Sequence, residues 1–166
     1  IWRSHISEII AAYRQWANNE APPKALIIYD TMWGSTRKMA LALQEGLEDA
    51  GIPVKVRFLQ KSHISHIVPD VLNSRAVLIG TPTLNNGMLP SIGALLTYLK
   101  GLRPKKKLGF AFGSYGWGGQ GAKQASAALQ EMGWELPLEM INIQYNPDQH
   151  ELDKVREAGR KLALLI

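Results

Sequence analysis

Three short runs, "ALIIYD" (25–30), "AVLIGT" (76–81) and "KLGFAFG" (107–113), are apolar at nearly every position and stop abruptly at polar or glycine residues. Runs of this length read as strands buried on both faces, the environment of an open parallel sheet. A parallel strand needs a crossover of a dozen or more residues to reach its neighbour, and this chain supplies them. "TRKMALALQEGLEDAG" (36–51) puts Met39, Ala40, Leu43 and Leu47 on one helical face and ends at Gly51. "ISHIVPDVLNS" (64–74) reads as a weaker helix containing Pro69, and "PSIGALLTYLKG" (90–101) and "AKQASAALQEMG" (122–133) as further helices. "DQHELDKVREAGRKLALLI" (148–166) reads as a long closing helix. The alternating "VKVRF" (54–58) suits a strand near the sheet edge, and "EMINIQY" (139–145) supplies a fifth strand. Five strands separated by helices define an α/β fold with right-handed crossovers.

Ahead of this pattern, residues 4–17 place Ile6, Ile9, Ile10, Tyr13 and Ala17 at helical spacing, with Ser4 as the expected N-cap. "NNEAPP" (18–23) then breaks the periodicity. Residues 1–23 are expected to be a helix and linker from an upstream domain, and residues 24–166 the domain proper. A first residue of Ile1 in place of Met fits a piece of a longer protein.

With 166 residues the chain is long enough to bury one sizeable core. It has no cysteine, which excludes disulfides, thiolate metal sites and cysteine nucleophiles and favours a cytoplasmic setting. No stretch approaches the ~18 apolar residues of a membrane span. The net charge is +5, but the densest basic run, "RPKKK" (103–107), lacks interleaved aromatics and reads as a solvated loop, so no nucleic acid is expected. The four histidines, His5, His63, His66 and His150, show no ligand pattern, and no metal is expected on this chain.

In open parallel sheets ligands bind beyond the carboxyl ends of the strands. The loops there are "TMWGST" (31–36), "TPTLNNGMLP" (81–90) and "GSYGWGGQG" (113–121). The first runs straight into a helix, whose free N–H groups and positive dipole end suit an anion. It carries neither GxxxxGK[ST] nor GxGxxG, so it suits a single terminal phosphate held without a cation; a plain helix cap by Ser35 or Thr36 would also fit. The third loop crowds glycines around Tyr115 and Trp117, as backbone lying against a flat ligand would require. The middle loop offers amides and backbone to a ring edge, although Asn-Asn-Gly is also ordinary turn chemistry. Together the three fit a mononucleotide with a tricyclic ring, FMN.

The first loop resembles the phosphate loop of flavodoxins, roughly [ST]-x-T-G-x-T, with Trp33 at a position usually held by threonine. "YDTMWGSTRKMA", "GTPTLNNGMLP", "GLRPKKK" and "AFGSYGWGGQGA" together are similar to the C-terminal flavodoxin-like domain of flavodiiron proteins, and "IWR…IIAAYRQWA" resembles the helix leading out of their diiron domain. The resemblance implies a three-layer sandwich around a five-stranded parallel sheet of order 2-1-3-4-5. It implies that Thr31, Met32, Trp33, Gly34, Ser35 and Thr36 hold the phosphate of FMN. Pro82, Thr83, Leu84, Asn85, Asn86 and Gly87 would line one ring edge, and Ser114, Tyr115, Gly116, Trp117, Gly118 and Gly119 the other, with Gln120 nearby. It further implies an electron-transfer domain with no catalytic side chain, serving a diiron centre in an upstream domain that reduces dioxygen or nitric oxide. A rubredoxin or a rubredoxin-like or NAD(P)H reductase would be the donor, and the parent would be a head-to-tail homodimer or tetramer. Two other readings stay open: a flavodoxin-fold NAD(P)H-dependent quinone or azo reductase, and a flavin-free module that binds a partner.

Overall fold

The computed structural model describes residues 4–166, so the first three residues of the N-terminal segment lie outside the described residues. The apolar runs become β1 (Ala25–Tyr29), β3 (Ala76–Gly80) and β6 (Leu108–Tyr115), and β1 and β3 are buried at every position. With β2 (Val54–Phe58) and β7 (Ile141–Gln144) they form one sheet of order β2-β1-β3-β6-β7, all pairs parallel. Counted over these five strands alone, the order is the expected 2-1-3-4-5. The alternating β2 is indeed an edge strand, half-buried at most positions.

Because side chains alternate across a strand, β1 feeds two cores. Ile27 and Tyr29 pack with Leu78, Phe110 and Phe112 beneath α2 (Ser35–Asp49) and α6 (Gln149–Ala163). Leu26 and Ile28 pack with Val77, Ile79 and Ala111 beneath α3 (Ile64–Leu72), α4 (Pro90–Leu102) and α5 (Gln120–Glu131). Pro69 sits inside α3 and contributes no N–H there, and the helix stops at Leu72, two residues earlier than expected. The closing helix is fixed by a capping box in "DQHE": Glu151 N–H donates to Asp148 Oδ1 at 2.8 Å and Asp148 N–H to Glu151 Oε2 at 3.0 Å.

The N-terminal helix α1 (Ile6–Ala17) has no buried residue, and its N-cap is His5 in the left-handed region (φ 57°), not Ser4. The helix and the two residues after it meet the rest through polar clamps: Trp16 Nε1 donates to Asn73 Oδ1 at 3.0 Å, Lys105 N–H to Asn19 Oδ1 at 3.1 Å, and Lys106 Nζ to the Asn18 carbonyl at 3.1 Å. The basic run is therefore partly structural. Its Pro104 carbonyl also accepts from buried Trp134 Nε1 at 2.8 Å.

Lys107, the last residue of that run, is buried and donates to the carbonyls of Ser74 at 2.7 Å and Leu72 at 3.0 Å. Desolvation by burial, and then the neighbouring Arg75 guanidinium, lower its pKa from 10.5 to about 8. Between those values the folded protein has released a proton that the unfolded chain still holds, so the group's contribution to stability rises as pH climbs from about 8 to 10.5. Below that window both states are protonated and the cost of burying the ammonium is felt in full. Lys107→Met should flatten this slope, read as a smaller stability change than wild type between urea titrations on either side of the window.

Candidate functional site

Three loops and one further turn meet beyond the carboxyl ends of the strands and enclose a cleft of about 700 Å³. That size is ordinary for a small-molecule site.

At the end of β1 the chain turns on Asp30, whose buried carboxylate accepts from Thr31 N–H at 2.7 Å and Gln60 Nε2 at 2.8 Å and also from Ser91 Oγ. Thr31 Oγ1 accepts from Gly34 N–H at 3.0 Å, which leaves the hydroxyl proton free to donate elsewhere. Gly34 is the N-cap of α2 at φ 88°, a conformation that glycine adopts without steric cost. Neither Ser35 nor Thr36 caps the helix. No side chain caps it, and its first turn carries no acid. Its first backbone bond is Lys38 N–H to the Gly34 carbonyl at 3.1 Å, so the N–H groups of Ser35, Thr36 and Arg37 have no acceptor among the described residues. Thr31, Met32, Trp33 and Ser35 line the cleft. Thr36 does not: it is fully buried, with Oγ1 3.4 Å from Ser114 Oγ.

The middle loop contains a hairpin. β4 (Thr83–Leu84) pairs antiparallel with β5 (Gly87–Met88), and Asn85 (φ 47°) and Asn86 (φ 59°) form the left-handed turn between them. Three bonds strap it to α5: Gly121 N–H donates to Thr83 Oγ1 and Met88 N–H to Gln124 Oε1, each at 3.0 Å, and Gln124 Nε2 donates to the Asn86 carbonyl at 3.4 Å. Pro82, Thr83, Leu84, Asn85 and Asn86 line the cleft, whereas Gly87 lies on the strand leaving the turn.

β6 runs two residues past its expected end, so Ser114 and Tyr115 enter the cleft from the strand itself, followed by Gly116, Trp117 and Gly118. The crowded glycines divide into two groups. A Cβ at Gly113 would lie 2.0 Å from the Thr81 carbonyl oxygen, one at Gly119 2.3 Å from Asn142 Nδ2, and one at Gly121 2.7 Å from the Pro82 carbonyl oxygen. Packing against backbone requires Gly113 and Gly121, whereas at Gly119 the Asn142 side-chain amide fills the space a Cβ would take. Gly116 and Gly118 line the cavity, although a Cβ on Gly118 would also lie 2.5 Å from Gln120 Oε1. Trp33 and Trp117 are 91% and 97% exposed at the rim, so neither is tucked into the core.

Two lining residues, Tyr145 and Asn146, were not expected. They follow β7, and the rule that ligands sit beyond strand ends would have found them had it been applied to the fifth strand as well as to the first, third and fourth. Among the described residues, none that lines the cleft is charged. Among the described residues no three His, Asp or Glu side chains gather as metal ligands do, and no helix is long and apolar enough to cross a membrane.

A doubly wound parallel sheet with a cleft beyond the carboxyl ends of its strands defines an open α/β protein of the flavodoxin-like class. The flavodoxin family profile matches residues 27–159, and the chain belongs to that flavin-binding family. It is 45% identical over 167 residues to the nitric oxide reductase of Moorella thermoacetica, covering 100% of this chain and 42% of that protein. Among solved structures, the rubredoxin oxygen:oxidoreductase of Desulfovibrio gigas superposes with a TM-score of 0.92 at 34% identity, over 96% of this chain and 40% of that one. The flavodiiron protein of Giardia intestinalis gives 0.92 at 30% identity, over 97% and 40%. The chain thus spans about two fifths of the length of these relatives. The resemblance to the flavodoxin-like domain of flavodiiron proteins holds.

Proposed function

We propose that this chain binds FMN in the cleft and relays electrons from a small redox protein to a diiron centre carried on an upstream domain. The observation that carries the reading is the neutral cleft floored by the uncapped N-terminus of α2. The free N–H groups of Ser35, Thr36 and Arg37, with the hydroxyls of Thr31 and Ser35, would hold a phosphate, and Met32, Trp33 and Gly34 shape the loop around it. Pro82, Thr83, Leu84, Asn85 and Asn86 would line one ring edge, with Gly87 completing the turn, and Ser114, Tyr115, Gly116, Trp117 and Gly118 the other, backed by Gly119. Bound FMN would supply the one- and two-electron chemistry, while the chain contributes position and electrostatics. With no carboxylate among the lining residues, negative charge on the ligand meets no side-chain repulsion there.

The donor we favour is a rubredoxin, as the name of the Desulfovibrio gigas relative suggests, and the net charge of +5 suits an acidic partner. Residues 1–23 would tether the upstream diiron domain, a role compatible with a helix that buries none of its described residues and leaves Ile6, Ile10 and Tyr13 exposed. We place the parent in the cytoplasm as a homodimer or tetramer.

Titration of the apo chain with FMN and with riboflavin tests the reading. FMN should bind one to one with quenched flavin fluorescence, and ~1,000-fold tighter than riboflavin, the worth of two charge-assisted hydrogen bonds of roughly 2 kcal/mol each. Equal affinities would remove the phosphate assignment. Stopped-flow reduction of the flavin-loaded chain should be fast with reduced rubredoxin and slow with NADH; fast NADH reduction would replace the relay with an NAD(P)H-dependent reductase.

A further inference from the structure

Tyr145, the residue immediately after β7, has a left-handed backbone at φ 62°. For a bulky side chain this conformation is sterically unfavourable, and such outliers concentrate where a ligand is held. The backbone is fixed there from the β6 side: Tyr145 N–H donates to the Tyr115 carbonyl at 2.6 Å, and Gln144 Nε2 donates to the Gly116 carbonyl at 2.9 Å. The turn brings the ring beside Gly116, where a Cβ would lie 3.9 Å from Tyr145 Cε1. The core makes little use of that ring, which is 61% exposed and lines the cleft together with Asn146. An aromatic side chain on a strained backbone, outside the core and facing a cavity, gives folding little in return.

We propose that Tyr145 is a binding residue, its ring forming a fourth wall of the cleft and making apolar contact with the flat heterocycle of the ligand. This rests on the FMN reading above. The left-handed turn is what aims a side chain from the sheet-edge strand into a cleft otherwise built by three loops. Glycine is the substitution that separates the two roles, because it adopts the same backbone without strain and removes the ring.

The test uses the apo chain, with FMN and riboflavin as probes and the apo melting temperature as a second readout. Tyr145→Gly should leave the apo Tm unchanged or raised while weakening FMN about tenfold, the scale of one lost aromatic contact. Riboflavin should weaken by the same factor, since the contact is to the ring and not to the phosphate. Tyr145→Phe should retain affinity within about twofold, since the phenol hydroxyl is not required. An unchanged Kd in Tyr145→Gly overturns the proposal, as does a Phe variant that loses as much as the Gly variant. An apo Tm lowered by more than about 5 °C alongside the affinity loss overturns it too, by making the residue a prop for the Gly116 loop. If wild type binds neither flavin, the FMN reading and the role of Tyr145 fall together; if wild type binds and Tyr145→Gly binds equally well, Tyr145 alone falls.

Discussion

Gly46→Ala should lower stability by about 3 kcal/mol, at the upper end of what overpacking costs, and lower the Tm by roughly 10 °C. On helix propensity alone the substitution would do the opposite, since alanine is favoured over glycine by ~1 kcal/mol in a helix interior. Packing reverses the sign. Gly46 lies in α2 against α6, and a Cβ there would stand 2.0 Å from the Arg156 carbonyl oxygen and 2.9 Å from its carbon. From the other helix, a Cβ on Gly159 would lie 2.7 Å from the Leu43 carbonyl oxygen. The atoms in the way are backbone, so no side chain can swing aside; one helix must move. Arg156 and Arg160 further tie α6 to Glu45 and Asp49 of α2, at 2.7 Å and 2.9 Å. These exposed pairs contribute little individually, but they fix the register at which the glycines meet. Gly101→Ala in α4 is the control, because a Cβ there has nothing within 4 Å and the substitution should stabilise by about 0.5 kcal/mol. Urea titration of both variants checks the pair, and a Gly46→Ala protein as stable as wild type would mean the two helices do not approach so closely.

The contrast between the two glycines also shows where the sequence was readable. Both sit in amphipathic stretches that announce helices, yet only the pairing of α2 with α6, distant in sequence, tells which glycine a methyl group would break. The sheet was legible because "ALIIY" and "AVLIG" leave no polar face to expose, and the crossovers because Met39, Leu43 and Leu47 recur at helical spacing. The hairpin at Asn85–Asn86 was not: strands of two residues carry no periodicity, and the turn residues served equally well for a loop. The third loop was correctly placed at the cleft, but its composition could not separate glycines facing the cavity from those pressed against Thr81, Pro82 and Asn142. The rim indoles were ambiguous for the same reason, because an aromatic beside glycine suits core and surface alike until the backbone directs it. Tyr145 follows the fifth strand, and its place at the cleft depends on β7 pairing with β6, a contact between segments some thirty residues apart.

Ser35→Glu should abolish measurable FMN binding while leaving the apo protein as stable as wild type or slightly more so. Ser35 is the first residue of α2, which has no acid in its first turn and no capping side chain. An added carboxylate there interacts favourably with the helix dipole and the free N–H groups, a gain of about 0.5 kcal/mol in the apo state. In the complex the same carboxylate would occupy the donors a phosphate needs and repel the phosphate itself. Two lost charge-assisted hydrogen bonds of roughly 2 kcal/mol each already weaken binding by about a thousandfold, and like-charge repulsion adds to that. Riboflavin, which lacks the phosphate, should lose far less, so the preference for FMN collapses or reverses. Ser35→Ala separates the hydroxyl from the backbone: it removes one neutral donor, should cost about tenfold in FMN affinity, and leaves the N–H groups free. The order of FMN affinity is therefore wild type, then Ser35→Ala, then Ser35→Glu, with apo stability highest in the variant that binds worst. Fluorescence titration and thermal melts of the three apo proteins measure both orders. If Ser35→Glu bound FMN as well as Ser35→Ala does, the phosphate would have to be held elsewhere than at the start of α2.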